Sequence, residues 1–494
     1  MSISPTIDTF EPRSFAKLFI GGEWVEPTSD SRLDVISPAT EERIATVPEV
    51  TLADVDRAVS AARNAFDEGP WPRMSGPERA EVMRRALQEL ELRNDEVTAC
   101  FTAEVGSPVR RSQGLQDNAW MIWSDFAEMA ASFEFEDRRS LSYGEVRVIR
   151  EPVGVVGAIT PWNGPSATTA WKVGAALAAG CTLVVKPAPE APLELNVMAE
   201  AFEAAGFPPG VISVLPGGRD EGEALVANPM VDKITLTGST AAGRKVMSIC
   251  AERIARVTLE LGGKSAAIVA DDVDFPSLLP ALIEGGTGNT GQVCCATTRV
   301  LVSRERHDEM AAVLAAAFED LRVGDPWDPA TEVGPLVSER QRSRVEEYIK
   351  IGLADGAEIV AGGGRPRGLE KGWYFEPTLF VGVDNSMRIA REEVFGPVVC
   401  LIPYDDIDDA ISIANDSDYG LLSAVFTHDE SVSEKMVRGI RAGQVNVNGF
   451  GACPIGPFGG FKQSGLGREG GPEGLAPFLE PKLVNLHPDV PLST

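Results

Sequence analysis

Apolar positions along this chain recur at two spacings, and the change from one to the other lays out its architecture. Residues 52–67 (LADVDRAVSAARNAFD) place apolar side chains three and four apart, the period of a helix with one buried face. Residues 76–94 repeat that spacing, and it predicts further helix through 95–135 with Trp120 and Trp123 in packing positions. Ahead of them, residues 18–50 read as short strands, with a turn at Gly21-Gly22. From Glu145 onward strands and helices alternate. The run VRVIREPVGVVGAITP is extended, 167–179 is helical, and CTLVVKPAPE is a buried strand stopped by prolines. A helix over 193–205, the strand VISVLP, a helix over 220–227, the strand KITLTGS and the helix TAAGRKVMSICAERI follow. VTLELGGKSAAIVAD reads as strand again.

A second alternating block opens near residue 275. Helices are expected over 276–293, 306–320, 339–354 and 406–415, and strands at TRVLVS, EIVAGG, FEPTLFVGV, PVVCLIPY and LSAVFT. Strands alternating with helices imply parallel sheets covered on both faces. Two α/β domains with a cleft between them are therefore expected, with ligands beyond the carboxyl ends of the strands.

Composition narrows the function. A chain of 494 residues is too long for one core, and 44% hydrophobic with 24% charged residues is usual for a soluble globular protein. Lys and Arg number 45 against 73 Asp and Glu, a net charge of −28. That field disfavours nucleic acid and anionic membrane, and Arg110-Arg111 and Arg138-Arg139 are too short to reverse it. No run of eighteen apolar residues is present, and the start MSISPTIDTFEPRSF does not read as a signal peptide. The seven cysteines form no C-x-x-C pair, which argues against a metal site and for free thiols in the reducing cytoplasm.

Four segments carry candidate chemistry. Gly288-Asn289-Thr290-Gly291-Gln292-Val293-Cys294-Cys295 is a Gly-rich turn ending in two thiols, either nucleophiles or small core residues. Glu260, in LELGGKS, is a carboxylate in an apolar strand: a general base if it faces a cleft, or an ion-pair partner of Lys264. Asn163, in PWNGP, could donate to a developing oxyanion or merely form a turn. Gly238-Ser239-Thr240 leads from strand to helix, where free N–H groups suit a pyrophosphate, although the spacing is not G-x-G-x-x-G. Lys186, at the end of its strand, could reach an adenosine ribose or stand exposed.

Together these segments resemble the aldehyde dehydrogenase superfamily over nearly the whole chain. LELGGKS and GQVCCA resemble its base and nucleophile motifs, and PWNGP, VVKPAPE and LTGST its oxyanion and cofactor segments. REEVFGP (391–397), NDSDYGL (415–421) and PFGGFKQSGLGRE (457–469) complete the set in the family's order. The resemblance implies a Rossmann-like NAD(P)-binding domain (1–132 and 151–259) and an α/β catalytic domain (260–460). It also implies a small β oligomerisation element (133–150 and 475–494) and a homo-oligomer, dimer or tetramer. It makes Cys294 the nucleophile, two residues after Gln292, and Glu260 the base for a hydrolytic water. Asn163 and the Cys294 N–H form the oxyanion hole. Lys186 and Glu393 match ribose contacts, Gly238 and Ser239 pyrophosphate contacts, and Phe395 and Trp162 the nicotinamide side. Thr160, Pro161, Glu190 and Leu261 complete the cofactor set.

Two departures from the family pattern bear on specificity. Where many NAD-preferring members carry an acid three positions after the strand-end lysine, this chain has Pro189, with Glu190 one later. NAD is the expected cofactor and NADP stays open. Gly164, Ala167 and Gly288 stand where members acting on small aldehydes have bulkier residues. Trp171, Val293, Cys295, Phe450 and Phe458 remain as walls, so a bulky hydrophobic aldehyde is expected unless neighbouring loops refill the space. Rival readings are a CoA-acylating semialdehyde dehydrogenase, which generally lacks the base at Glu260, and a cysteine hydrolase. The hydrolase would need a partner among His307, His428 and His487. A non-catalytic binding protein of the same fold is a third.

Overall fold

The computed structural model describes residues 10–142 and 144–486. The first nine residues of the expected cofactor domain, and residues 487–494 of the expected oligomerisation element, including His487, lie outside the described residues.

Two large sheets form the core. In the first, Arg256–Glu260, Lys233–Thr237, Val155–Ile159, Thr182–Lys186 and Ile212–Val214 lie side by side and parallel. Leu18–Ile20 with Glu23–Val25 extends one edge, and Gly465–Leu466 the other, antiparallel. The chain winds outward from Val155–Ile159 in one direction, then returns to its other side with Lys233–Thr237. The crevice of a doubly wound sheet opens at that reversal. Thr160–Asn163 leave one of these two strands and Gly238-Ser239 the other, so the reversal alone brings two candidate segments together.

The second sheet runs Glu358–Ala361, Thr378–Val381, Val398–Tyr404, Arg299–Ser303, Ala266–Val269, Leu422–Phe426 and Gln444–Val447, all parallel except the first. Its central strands are buried along their whole length, which is why they read as unbroken apolar runs. Glu136–Leu141, Gly144–Pro152 and Leu479–Leu486 make a separate antiparallel sheet. The hairpin at 136–150 and the extended tail thus meet in one sheet.

Three elements depart from the sequence expectations. VTLELGGKSAAIVAD is two strands in two sheets. Arg256–Glu260 ends the first sheet and Ala266–Val269 starts in the second, and the glycine pair crosses between them. The helix expected over 95–135 stops at Val105, because Gly106 turns left-handed (φ +80°) and Pro108 follows, and it restarts as Val109–Ser132. The helix expected to reach 293 ends at Thr287, and Asn289 and Thr290 adopt φ of +50° and +57°. Among the described residues no helix is long and apolar enough to cross a membrane.

Candidate active site

Cys294 owes its position to that left-handed turn. Side chains of the turn bind outward: Thr290 Oγ1 donates to the Gly334 carbonyl (3.0 Å) and Asn289 Nδ2 to the Asn163 carbonyl (3.2 Å). Gln292, fully buried, donates to Asn289 O (3.1 Å) and accepts from Val337 N–H (2.9 Å). Asn163 Nδ2 donates to Gln292 O at 2.9 Å, which uses one of its two N–H bonds. The oxyanion candidate and the thiol candidate are thereby tied to one another through the backbone.

Glu260 ends its strand 3% exposed, and neither carboxylate oxygen has a hydrogen-bond partner among the described residues. The alternative ion pair with Lys264 is not formed, since Lys264 Nζ is buried without a hydrogen-bond partner there as well. Burial pushes the Glu260 carboxyl well above the usual range, and the nearby Glu469 carboxylate adds to the rise against Lys172 and Arg468. Glu469 is itself buried and paired with Lys172, on the helix Pro165–Ala179.

Three adjoining cavities are lined by these residues. The largest, about 610 Å³, is lined by Pro161, Trp162, Asn163, Gly238, Ser239, Leu261, Cys294, Glu393, Phe395 and the helix residues Arg340, Gln341 and Arg344. Ser239 also lines a second, of about 450 Å³, with Lys186, Gly222 and Lys245. Asn163, Thr237 and Cys294 also line a third, of about 140 Å³, with Glu260, Trp171 and Phe458. Cys294 therefore stands where a long cleft meets a small chamber.

The match to known proteins agrees with this layout. Residues 24–484 match the aldehyde dehydrogenase family. The chain belongs to that family. A Mycobacterium tuberculosis aldehyde dehydrogenase solved with NAD+ superposes with a TM-score of 0.95 at 46% identity, covering 97% of this chain and 100% of that one. A Pseudomonas syringae aldehyde dehydrogenase solved with NAD+ and octanal gives 0.91 at 40%, over 95% and 96% of the two chains. A Staphylococcus aureus betaine aldehyde dehydrogenase solved with NAD+ gives 0.93 at 36%, over 95% and 94%.

Within this aldehyde dehydrogenase fold the remaining sequence candidates fall in several places. Thr160 is buried at its strand end, its N–H on Lys186 O (3.1 Å). Glu190 does not line the cleft; its carboxylate binds Arg340 Nη2 at 2.8 Å. Gly164, Ala167, Val293 and Cys295 line the chamber with Trp171 and Phe458, whose rings stack at 5.0 Å. Phe450 does not; it packs by Gly285. The room expected at Gly288 is filled, because a Cβ there would lie 2.9 Å from Arg111 Nη1 and 2.8 Å from Glu284 Oε1, which pair with each other. Refilling by neighbours holds at that position, whereas at Gly164 the nearest atom to a Cβ is 3.8 Å away.

Glu393 accepts the Gly263 N–H (3.1 Å), and a Cβ at Gly262 would lie 2.3 Å from its carboxylate, so a glycine is needed there. Burial raises Glu393 to about 7 and lowers Lys186 to about 8. The Cys294 thiol is raised by its hydrogen bond to Cys295, by burial and by the nearby carboxylates, so it rests protonated. Of the residues the sequence reading missed, Glu469 closes a quoted motif. Lys172, Arg111, Glu284 and Arg340 had no local signal.

Proposed function

We propose that this chain oxidises apolar aldehydes to carboxylic acids with NAD, by covalent catalysis at Cys294. The observation that carries the proposal is the position of Cys294 at the junction of a long cleft and an apolar chamber, with Asn163 and Glu260 lining that chamber. The cleft suits a dinucleotide. The first turn of Thr240–Arg253 opens beside Ser239, and a half-buried carboxylate, Glu393, lines the wall without a cationic hydrogen-bond partner. Lys186 and Glu393 would hold the two riboses, Gly238 and Ser239 the diphosphate, and Trp162 and Phe395 the nicotinamide. When bound, the cofactor supplies the acceptor for the hydride that leaves the carbonyl carbon, which turns the thiohemiacetal on Cys294 into a thioester.

The residues do the rest. The resting thiol first gives its proton to solvent as it becomes a thiolate, which leaves Glu260, in the same chamber, for the hydrolytic step. The thiolate attacks the carbonyl. The second N–H of Asn163 Nδ2 and the Cys294 N–H receive the oxyanion, worth about 3 kcal/mol for one such donor. Glu260 then takes a proton from water, which cleaves the thioester and frees Cys294.

Chamber size bears on the substrate. About 140 Å³ is close to the roughly 150 Å³ apolar cavity that accommodates benzene. A ring-sized or medium aliphatic body fits, with Phe101, Leu115, Trp171 and Phe458 around it. The test is an aldehyde panel with NAD and NADP, followed by reduced-nicotinamide absorbance. Benzaldehyde-sized and six- to eight-carbon aldehydes are expected to exceed acetaldehyde at least about tenfold in kcat/KM, since each buried methylene contributes about 0.8 kcal/mol. Equal values for acetaldehyde would remove the substrate claim, and acyl-CoA formation when CoA is added would replace hydrolysis with acyl transfer.

A further inference from the structure

The ion pair between Arg340, which lines the cleft, and Glu190, which lies beside it, links the two sides of its rim. Arg340 lies in the first turn of the helix Glu339–Ala354, which contacts the second sheet, and Glu190 lies after the strand Thr182–Lys186 of the first. Beneath it, Ala191 and Val337 share a small apolar cluster with Trp162 and Phe101, so apolar packing as well as the ion pair holds the two sides together. Arg340 lines the large cavity, yet its side chain is 81% exposed and it meets Glu190 at the rim.

Most other cations of the cleft are committed; Arg219, in the second cavity, is the exception, with no ion pair among the described residues. Arg344 donates to the carbonyls of Glu393 (2.6 Å) and Val394 (3.2 Å). Lys186 donates to those of Pro187 (2.9 Å) and Gly217 (2.6 Å), and Lys245 pairs with Glu223 (3.1 Å). Glu347 and Glu393 line the same cavity, and the whole chain carries −28. An anionic ligand entering here meets a negative surround and needs a mobile cation. An exposed ion pair is worth only about 0–1 kcal/mol, so Arg340 can leave Glu190 at small cost for the diphosphate, which carries two charges.

Resting on the reading that the cleft holds a dinucleotide, we propose that Arg340 is a cofactor-binding residue held in reserve by Glu190. On binding, its guanidinium exchanges the Glu190 carboxylate for a phosphate of the dinucleotide. No bond is made or broken covalently, and Glu190 is left at the solvent rim. Glu190 is then a competitor of the cofactor, not a contact to it.

Titration of NADH and NADPH by fluorescence into wild type, Arg340→Met, Glu190→Gln and the double variant tests this without turnover. Arg340→Met is expected to weaken binding about fivefold, the scale of one surface ion pair, and Glu190→Gln to tighten it about threefold. The double variant should match Arg340→Met, because Glu190 acts only through Arg340. Equal shifts for both cofactors assign the contact to the diphosphate, and a shift confined to NADPH assigns it to the 2′-phosphate. If both single variants weaken binding alike, the pair is a structural clasp and the proposal falls. It falls too if Arg340→Met changes nothing. Loss of all NADH binding in wild type would instead overturn the dinucleotide reading of the cleft.

Discussion

Two adjacent thiols stand under opposite electrostatic pressures. Their shared hydrogen bond raises Cys294 and lowers Cys295, yet Cys294 is the one that borders both cavities, while Cys295 borders the chamber alone. Position therefore decides which acts. Cys294→Ser is expected to lower acid formation by more than about 10³-fold, and Cys295→Ser to leave turnover within a few-fold, both measured as steady-state rates. Glu260 works as a base only when ionised, and burial raises its pKa, so turnover should climb with pH above the usual carboxylate range. Glu260→Gln should cut steady-state turnover about 10²- to 10⁴-fold and leave a single burst of reduced cofactor per site. Glu469→Gln removes the carboxylate that raises Glu260 and frees Lys172 to act on it, so the rising limb should move to lower pH. A limb unmoved in Glu469→Gln would mean that burial alone sets the Glu260 pKa.

At the scale of elements, the turn before Cys294 is where backbone conformation controls chemistry. Gly291 has φ of +69°, and a Cβ there would lie 2.1 Å from the Gly396 carbonyl oxygen, one residue from Phe395. Gly291→Ala is expected to cost more than about 2 kcal/mol in denaturant unfolding and to displace the loop carrying Glu393 and Phe395, weakening NADH binding. Gly356 supplies the control: φ is +97° with nothing within 4 Å of a Cβ, so Gly356→Ala should cost only the conformational term, about 1–2 kcal/mol. Equal costs for the two would show that the Gly291 contact relaxes. Such turns are only partly legible in sequence. Gly106 and Pro108 do mark a helix end, but the apolar period running on either side masked them. VTLELGGKSAAIVAD hides a change of sheet because the residues on either side of the glycine pair are buried in both halves. The central strands and the motif residues at their carboxyl ends were legible, since period and end position are local properties. The pairs Arg340–Glu190, Arg111–Glu284 and Lys172–Glu469 were not, being 150, 173 and 297 residues apart along the chain.

At the scale of the whole molecule, the small antiparallel sheet leaves both of its outer edges unpaired among the described residues. Leu479–Leu486 pairs on one side with Gly144–Pro152 and has no strand on its other side among the described residues, and Glu136–Leu141 is likewise an outer strand. Open edges of this kind are templates for pairing with another chain unless they are blunted. Here Leu483 is 61% and Leu141 40% exposed, which leaves apolar side chains on both outer strands. Neither rests on the core, so Leu483→Lys should change subunit stability by no more than about 0.5 kcal/mol. If this sheet is the assembly surface that the family resemblance implies, the same change places a charge in an apolar contact and should reduce the assembled mass. Light scattering at matched concentration reads the mass, and far-ultraviolet circular dichroism confirms that the subunit stays folded. An unchanged mass in both Leu483→Lys and Leu141→Lys would move the assembly surface elsewhere. A fallen mass with unaltered NADH affinity would show that the cleft, built within one chain from the reversal point of the first sheet and the turn before Cys294, is complete without a partner.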